Sequence, residues 1–268
     1  MDKIGLFNFG MIVTNKCNLN CDHCMRGCKN NNVMSKKVIK ATLDQINFIN
    51  NLCICGGEPT LAIETMYNIL DYAIKNNILI GGFSTTINGS IYSKDFLDLL
   101  KYASEYAKYV CFNVSYDQYH IKELQRLNLY KQFMENLKKY CTSEYFDGIR
   151  TLDNKLKLFR EGNAEQLDDN LTIDYRPLPI YVTYADKKKK LDLLNGKCFI
   201  GPLMTVNTDG IITECDASIE HQQTIYNYGN VLKDSIENVA IERGQILKYS
   251  KWKRECKKAL KNYLTYNE

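Results

Sequence analysis

The stretch FNFGMIVTNKCNLNCDHC, residues 7–24, decides how the rest of the chain is read. Its opening, FNFGMIV, is an apolar run of strand length that leads straight into a loop carrying Cys17, Cys21 and Cys24. Cys28 follows in the same loop. Thiols at this spacing could hold structural zinc, with His23 as a substitute ligand. All four could hold an electron-transfer iron–sulfur cluster. In a third arrangement three cysteines ligate a 4Fe–4S cluster and one iron stays open to a substrate or cofactor. The loop's position favours the third, because parallel sheets and barrels place their chemistry at the C-terminal ends of their strands.

Outward from that strand the chain alternates. A helix is predicted over 36–49 and a short strand over 51–55, NLCIC. Residues 61–75 place Ile63, Met66, Tyr67, Leu70 and Ile74 at helical spacing. NILIGGFSTT (77–86) is a predicted strand ending in a turn signal, 94–107 a helix, YVCFNVSY (109–116) a strand and 121–140 a helix. Strand and helix repeating at this pace predict βαβ units and a parallel sheet, an α/β fold. From 141 to 190 the pattern weakens, and only LPIYVTY (178–184) reads as a strand. LMTVNTDGIITEC (203–215) has the Asp-Gly signal of a β-hairpin. Helical stretches are expected near 232–249 and 251–264. A boundary near 190 divides a core, 1–190, from a small C-terminal appendage, 191–268, of hairpin plus helices.

Composition sets the class. The chain has 268 residues, 45% hydrophobic and 25% charged, the balance of a globular protein with a full core. No apolar run reaches the length of a membrane span, and the N-terminus does not read as a signal peptide, so a cytoplasmic location is expected. Eleven cysteines in a reducing compartment point to metal or redox chemistry instead of disulfides. A net charge of +4 falls short of a nucleic-acid-binding footprint. The run Lys187–Lys190 reads as a solvated loop.

CGGEPT, residues 55–60, follows the second strand. Its paired glycines let backbone approach a ligand closely, Glu58 offers a carboxylate to an ammonium group, and Pro59 stiffens the exit. Alone it is an ordinary strand-to-helix turn. After a cysteine loop on the preceding strand it has a use that zinc modules and ferredoxins lack.

CNLNCDHC followed by CGGEPT resembles the radical S-adenosylmethionine (radical SAM) superfamily over most of residues 8–130. The resemblance implies a partial (β/α)6 barrel. It implies that Cys17, Cys21 and Cys24 ligate a 4Fe–4S cluster whose unique iron is chelated by S-adenosylmethionine, with Gly56, Gly57 and Glu58 at the methionine amino group. STTING (84–89) and VSYD (114–117) resemble later strand ends of the family, where Ser84, Asn88, Ser115 and Asp117 would approach the cofactor. Arg126 lies where some members place an arginine on the cofactor carboxylate. Met25 stands where an aromatic residue usually lies near the adenine, and a thioether can pack on that ring. Cys53, Cys55 and Cys111 read as small buried hydrophobes. The implied chemistry is reductive cleavage of the cofactor to a 5′-deoxyadenosyl radical that takes a hydrogen atom from a substrate. A reductant such as flavodoxin or ferredoxin is implied with it.

In the appendage, Cys198, Gly210 and Cys215 resemble the opening of SPASM and twitch extensions, and YGNVLKDSIENV (228–239) resembles the linker after it. REGNAEQ (160–166) resembles a Gly-Arg-Ala segment common in such enzymes. Cys256 remains where a twitch domain would end in CxxC, with Ala259 in place of the second cysteine. The expectation is a truncated extension in which Cys198, Cys215 and Cys256 hold an auxiliary iron–sulfur cluster. The expected substrate is a peptide or protein, undergoing epimerisation or crosslinking. Modification of a nucleoside, carbohydrate or small metabolite is the alternative within enzymology. An iron–sulfur electron carrier or a zinc-binding module is the non-enzymatic one. Nothing in the chain resembles a leader-peptide-binding domain.

Overall fold

The computed structural model describes residues 3–27, 29–152, 157–174, 180–184, 197–200, 204–214 and 217–245. Five parallel strands run in chain order through its sheet: β1 (Ile4–Thr14), β2 (Ile46–Gly56), β3 (Leu79–Ile87), β4 (Tyr109–Ser115) and β5 (Phe146–Arg150). Helices α1 (Lys36–Leu43), α2 (Ile63–Lys75), α3 (Lys94–Ser104), α4 (Gln118–Arg126) and α5 (Tyr130–Tyr140) fill the crossovers. This is the parallel α/β sheet that the alternation predicts, arranged as the partial barrel that the resemblance implies.

The helices start where the sequence offers an oxygen to a free N–H. Ser35, Ser93 and Asp117 cap α1, α3 and α4 with their side chains. Apolar faces then close on the sheet, with Val38, Ile39, Leu43, Met66, Ile69, Leu70, Phe96, Leu99 and Leu100 buried beside Leu52, Ile54, Phe83 and Phe112 of the strands. Each fully buried side chain of this size contributes about 1.5–3 kcal/mol.

Two predicted helices are shorter than their periodicity suggests. The first ends at Leu43, and β2 begins at Ile46, because Ile46, Phe48, Ile49 and Leu52 bury in the sheet. The 121–140 helix is two helices, α4 and α5, separated at Asn128, whose φ of 57° is left-handed. β5 had no sequence signal.

The rest of the chain continues the sheet from the other side of β1. After a two-stranded β6 (Leu158–Phe159) and β7 (Thr172–Ile173), strand β8 (Ile180–Tyr184) forms within the predicted 178–184 run. It pairs antiparallel with β9 (Lys197–Ile200), which pairs parallel with β1 at Gly5 and Leu6. The predicted hairpin is present as β10 (Met204–Val206) and β11 (Ile212–Glu214), and β10 pairs with β1 at Phe9–Met11. A short α6 (Ile219–Gln223), α7 (Ile236–Arg243) and β12 (Gly244–Gln245) follow. The helix predicted at 251–264 lies outside the described residues. No described helix is long and apolar enough to cross a membrane.

Candidate active site

β1 ends at Thr14 and the chain turns into the cysteine loop, which returns to the sheet through Met34 N–H donating to Val13 O at 2.9 Å. Three neighbours brace it. From the end of β3, Asn88 Nδ2 donates to Asn18 Oδ1 at 2.9 Å, and Asn18 Nδ2 donates to Ser90 Oγ at 2.8 Å. From α4, Glu123 accepts Asn20 N–H at 2.9 Å while Arg126 holds that carboxylate in a fork at 2.6 and 2.8 Å. From residues 160–166, Asn163 donates its backbone N–H to Cys24 O at 2.9 Å and Nδ2 to Cys21 O at 3.0 Å.

The loop closes one wall of a cavity of about 400 Å³ at the C-terminal ends of the strands. Cys17, Cys21, Cys24 and Met25 line it together with Gly56, Gly57, Asn88, Ser115 and Asp117. Nine of the residues singled out in the sequence therefore meet on one surface. Glu58, Ser84 and Arg126 do not line it. Glu58 is 1% exposed, and its oxygens accept from Thr60 N–H and Oγ1 at 3.0 and 2.6 Å and from Asn88 N–H at 2.7 Å. Its carboxylate ties the Gly-Gly turn to β3. Ser84 Oγ donates to Asn51 Oδ1 at 3.3 Å, and Arg126 is committed to Glu123. The glycines have a packing reason of their own. A Cβ on Gly57 would stand 2.2 Å from Lys16 O, so this turn nests against the start of the cysteine loop only without a side chain. Gly57 N–H donates to Thr14 O at 2.8 Å and Glu58 N–H to Lys16 O at 2.7 Å.

Burial pushes the Cys17 thiol up, partly offset by the charge of Lys29. Burial and then the neighbouring Cys24 and Cys17 push Cys21 up to about 12. Cys17, Cys21 and Cys24 line one cavity, and three thiols there could ligate an iron centre, whose positive charge would offset the cost of burying thiolate. Burial would raise Asp117, but the hydrogen bond and charge of His23, at 3.3 Å, and the His120 N–H outweigh it and hold the carboxyl below its ordinary range. Burial lowers His120 to about 4, and neither of its ring nitrogens has a partner. His120, Thr86, Lys29, Cys53, Cys55 and Arg150 also line the cavity. Arg150 went unnoticed in the sequence because its strand carried no signal.

Cys198 is in β9, opposite Gly5. Cys28, Cys215 and Cys256 lie outside the described residues.

Comparison with known proteins bears on the family and the fold. The family model of the radical SAM superfamily matches residues 11–157. Over 75 residues the chain is 36% identical to the uncharacterized protein MJ0907 of Methanocaldococcus jannaschii, a match that spans 27% of this chain and only 26% of that one. The solved structure of native anSMEcpe with bound AdoMet and Cp18Cys peptide superposes with a TM-score of 0.51 at 15% identity, covering 94% of this chain and 88% of that one. SuiB of Streptococcus suis bound to precursor peptide SuiA gives a TM-score of 0.41 at 13% identity, covering 89% of this chain and 64% of that one.

Proposed function

The chain belongs to the radical SAM superfamily, and on that premise we propose that it is an enzyme that modifies a peptide or protein by hydrogen-atom chemistry. Membership implies a 4Fe–4S cluster and S-adenosylmethionine. The observation that carries the proposal is the convergence of Cys17, Cys21 and Cys24 with Gly56, Gly57, Asn88, Ser115 and Asp117 on one cavity wall. Bound there, the cluster and S-adenosylmethionine supply one-electron reductive cleavage and, from it, removal of a substrate hydrogen atom.

The chain's own residues hold and orient. Cys17, Cys21 and Cys24 supply three thiolates. Gly56 and Gly57, packed against the backbone of Thr14 and Lys16, present main chain to the methionine end of the cofactor, and Met25 offers a thioether face to its adenine. Asp117, kept ionised beside His23, accepts hydrogen bonds from ribose hydroxyls, with Ser115 beside it. Arg26 and Arg150 both line the cavity; Arg26 is bonded to Ala217 O and Asn15 Oδ1, and Arg150 takes the cofactor carboxylate in place of Arg126. Glu58 positions the Gly-Gly turn and Asn88. The peptide substrate is supported by the shared fold with anSMEcpe, a protein solved with a peptide bound. A low-potential carrier of the flavodoxin or ferredoxin class supplies the electron.

A second reading concerns the C-terminal extension, which we take to be a truncated twitch-like unit with an auxiliary cluster on Cys198, Cys215 and Cys256. It is supported by the hairpin, whose second strand ends at Glu214, immediately before Cys215. One experiment tests both. Alanine at any one of Cys17, Cys21 and Cys24 should abolish 5′-deoxyadenosine formation from S-adenosylmethionine under reducing, anaerobic conditions. Unchanged turnover would defeat the radical reading. In the triple variant about four irons per chain should remain if the auxiliary cluster exists, and iron near zero in folded protein would exclude it. Product analysis with peptide against nucleoside or sugar substrates separates the substrate classes.

A further inference from the structure

The function proposed above leaves two thiols on the cavity wall without a task. Cys53 and Cys55 stand two residues apart on β2 and so share one face of the strand. Their sulfurs are 3.7 Å apart, both side chains are half-buried, and both line the same cavity as the cluster cysteines. Cys55 is the last residue before Gly56, level with Ile12 of β1. Cys53 lies one layer deeper, opposite Gly10. A cysteine serving only as a small hydrophobe is enclosed by apolar atoms. These two face the volume in which a substrate would sit.

We propose that Cys53 and Cys55 form a hydrogen-donating dithiol of the reaction chamber, with Cys55 as the donor and Cys53 as its partner. The inference rests on the radical reading and deepens it. A carbon-centred substrate radical takes hydrogen readily from sulfur, because an S–H bond is weaker than the C–H bond that forms. The radical and the Cys55 thiol give a C–H bond and a Cys55 thiyl. The thiyl joins the Cys53 sulfur as that thiol releases its proton, which forms an S–S bond carrying one extra electron. That electron passes to an oxidised one-electron carrier of the ferredoxin or flavodoxin class and leaves a disulfide. A dithiol reductant then returns both thiols by exchange. Two thiols and one carbon radical thus yield one C–H bond, one disulfide, one proton and one electron. The outcome is a C–H bond remade, as in epimerisation. A crosslink is disfavoured, since a substrate radical would be quenched here before it could couple.

The test uses the full chain with its cluster. S-adenosylmethionine and titanium(III) citrate are added in deuterium oxide with no other substrate, so that the nearest exchangeable hydrogen is captured in 5′-deoxyadenosine. Deuterium in that product from the parent protein, falling to background in Cys55→Ser, is the expected result. An equal deuterium content in Cys55→Ser would overturn the assignment. In a second arm the oxidant diamide is added without reductant, and the peptide spanning both cysteines is weighed. It should be lighter by two hydrogens in the parent and not in Cys53→Ser, and the absence of that disulfide in the parent would overturn the pair. If neither protein forms any 5′-deoxyadenosine, the radical function itself fails and this inference falls with it, whatever the diamide arm reports.

Discussion

His120 carries a pH dependence that can be worked out at the scale of one residue. It is 2% exposed, stands edge-on to Phe133 at 5.5 Å, and has no hydrogen-bond partner on either ring nitrogen. Burial holds its folded value at about 4, whereas an unfolded chain titrates near about 6.5. A depressed histidine contributes stability above the unfolded value and loses it as pH falls toward the folded one. Between pH 7.5 and pH 5 the loss is about 2 kcal/mol. His120→Phe keeps the packing and removes the proton, so its urea midpoint should fall less than the parent's across that interval. Equal falls would place the titrating group elsewhere. Sequence reading singled out the cysteines because closely spaced thiols in one loop after a strand suggest a metal or cluster site. It could not tell whether Glu58 faces a ligand or a neighbouring strand, since either role needs the same carboxylate at the same turn. In the structure the carboxylate accepts from Thr60 and from the N–H of Asn88, 30 residues away in the chain.

Among elements, those with strong local signals are where the sequence placed them. α2, α3 and β3 have apolar periodicity, a capping residue or a following turn that all agree. β5 is legible only from its partner, for its own residues, FDGIR, are half-buried or exposed and contain a glycine. The segment 160–166 is more instructive. It resembles a Gly-Arg-Ala segment of the family, and it presses against the cysteine loop through Asn163. Gly162 has φ +57°, and a Cβ there would lie 2.4 Å from Gly27 N and 2.6 Å from Met25 O. Both are backbone atoms that cannot step aside. Gly162→Ala should therefore lift the segment and break the Asn163 bonds to Cys21 O and Cys24 O. The left-handed backbone alone costs about 1–2 kcal/mol for a residue with a Cβ. In cluster-loaded protein a chelator should strip iron faster from Gly162→Ala than from the parent. Equal rates would mean that the segment does not brace the loop.

Over the whole molecule, the C-terminal elements act as a second support for the site. β9 and β10 pair with β1, Asn15 Nδ2 donates to Thr208 Oγ1 at 3.2 Å, and Ile219 N–H donates to Arg26 O at 3.0 Å. Arg26 Nη1 reaches Ala217 O at 3.2 Å. The first strand and the cysteine loop are thus held between the βα units that follow them and strands near the other end of the chain, an arrangement that local periodicity cannot announce. One carboxylate links the two supports. Glu161, 3% exposed in its side chain, accepts Ser218 N–H at 2.8 Å and meets His221 Nδ1 at 2.9 Å. It therefore fastens α6 to the segment that carries Gly162 and Asn163. Glu161→Ala strands a buried N–H as well as the imidazole and should cost about 1–3 kcal/mol in urea unfolding. His221→Ala leaves Ser218 bonded and should cost less. The double variant should then lose less than the sum of the two, with a coupling of about 0.5–3 kcal/mol for residues in direct contact. Strict additivity would mean that the two side chains meet without holding α6. The chelator assay applied to Glu161→Ala then reads the function of the link, because a freed α6 releases Arg26 and the loop between Cys24 and Gly27, and iron should leave faster.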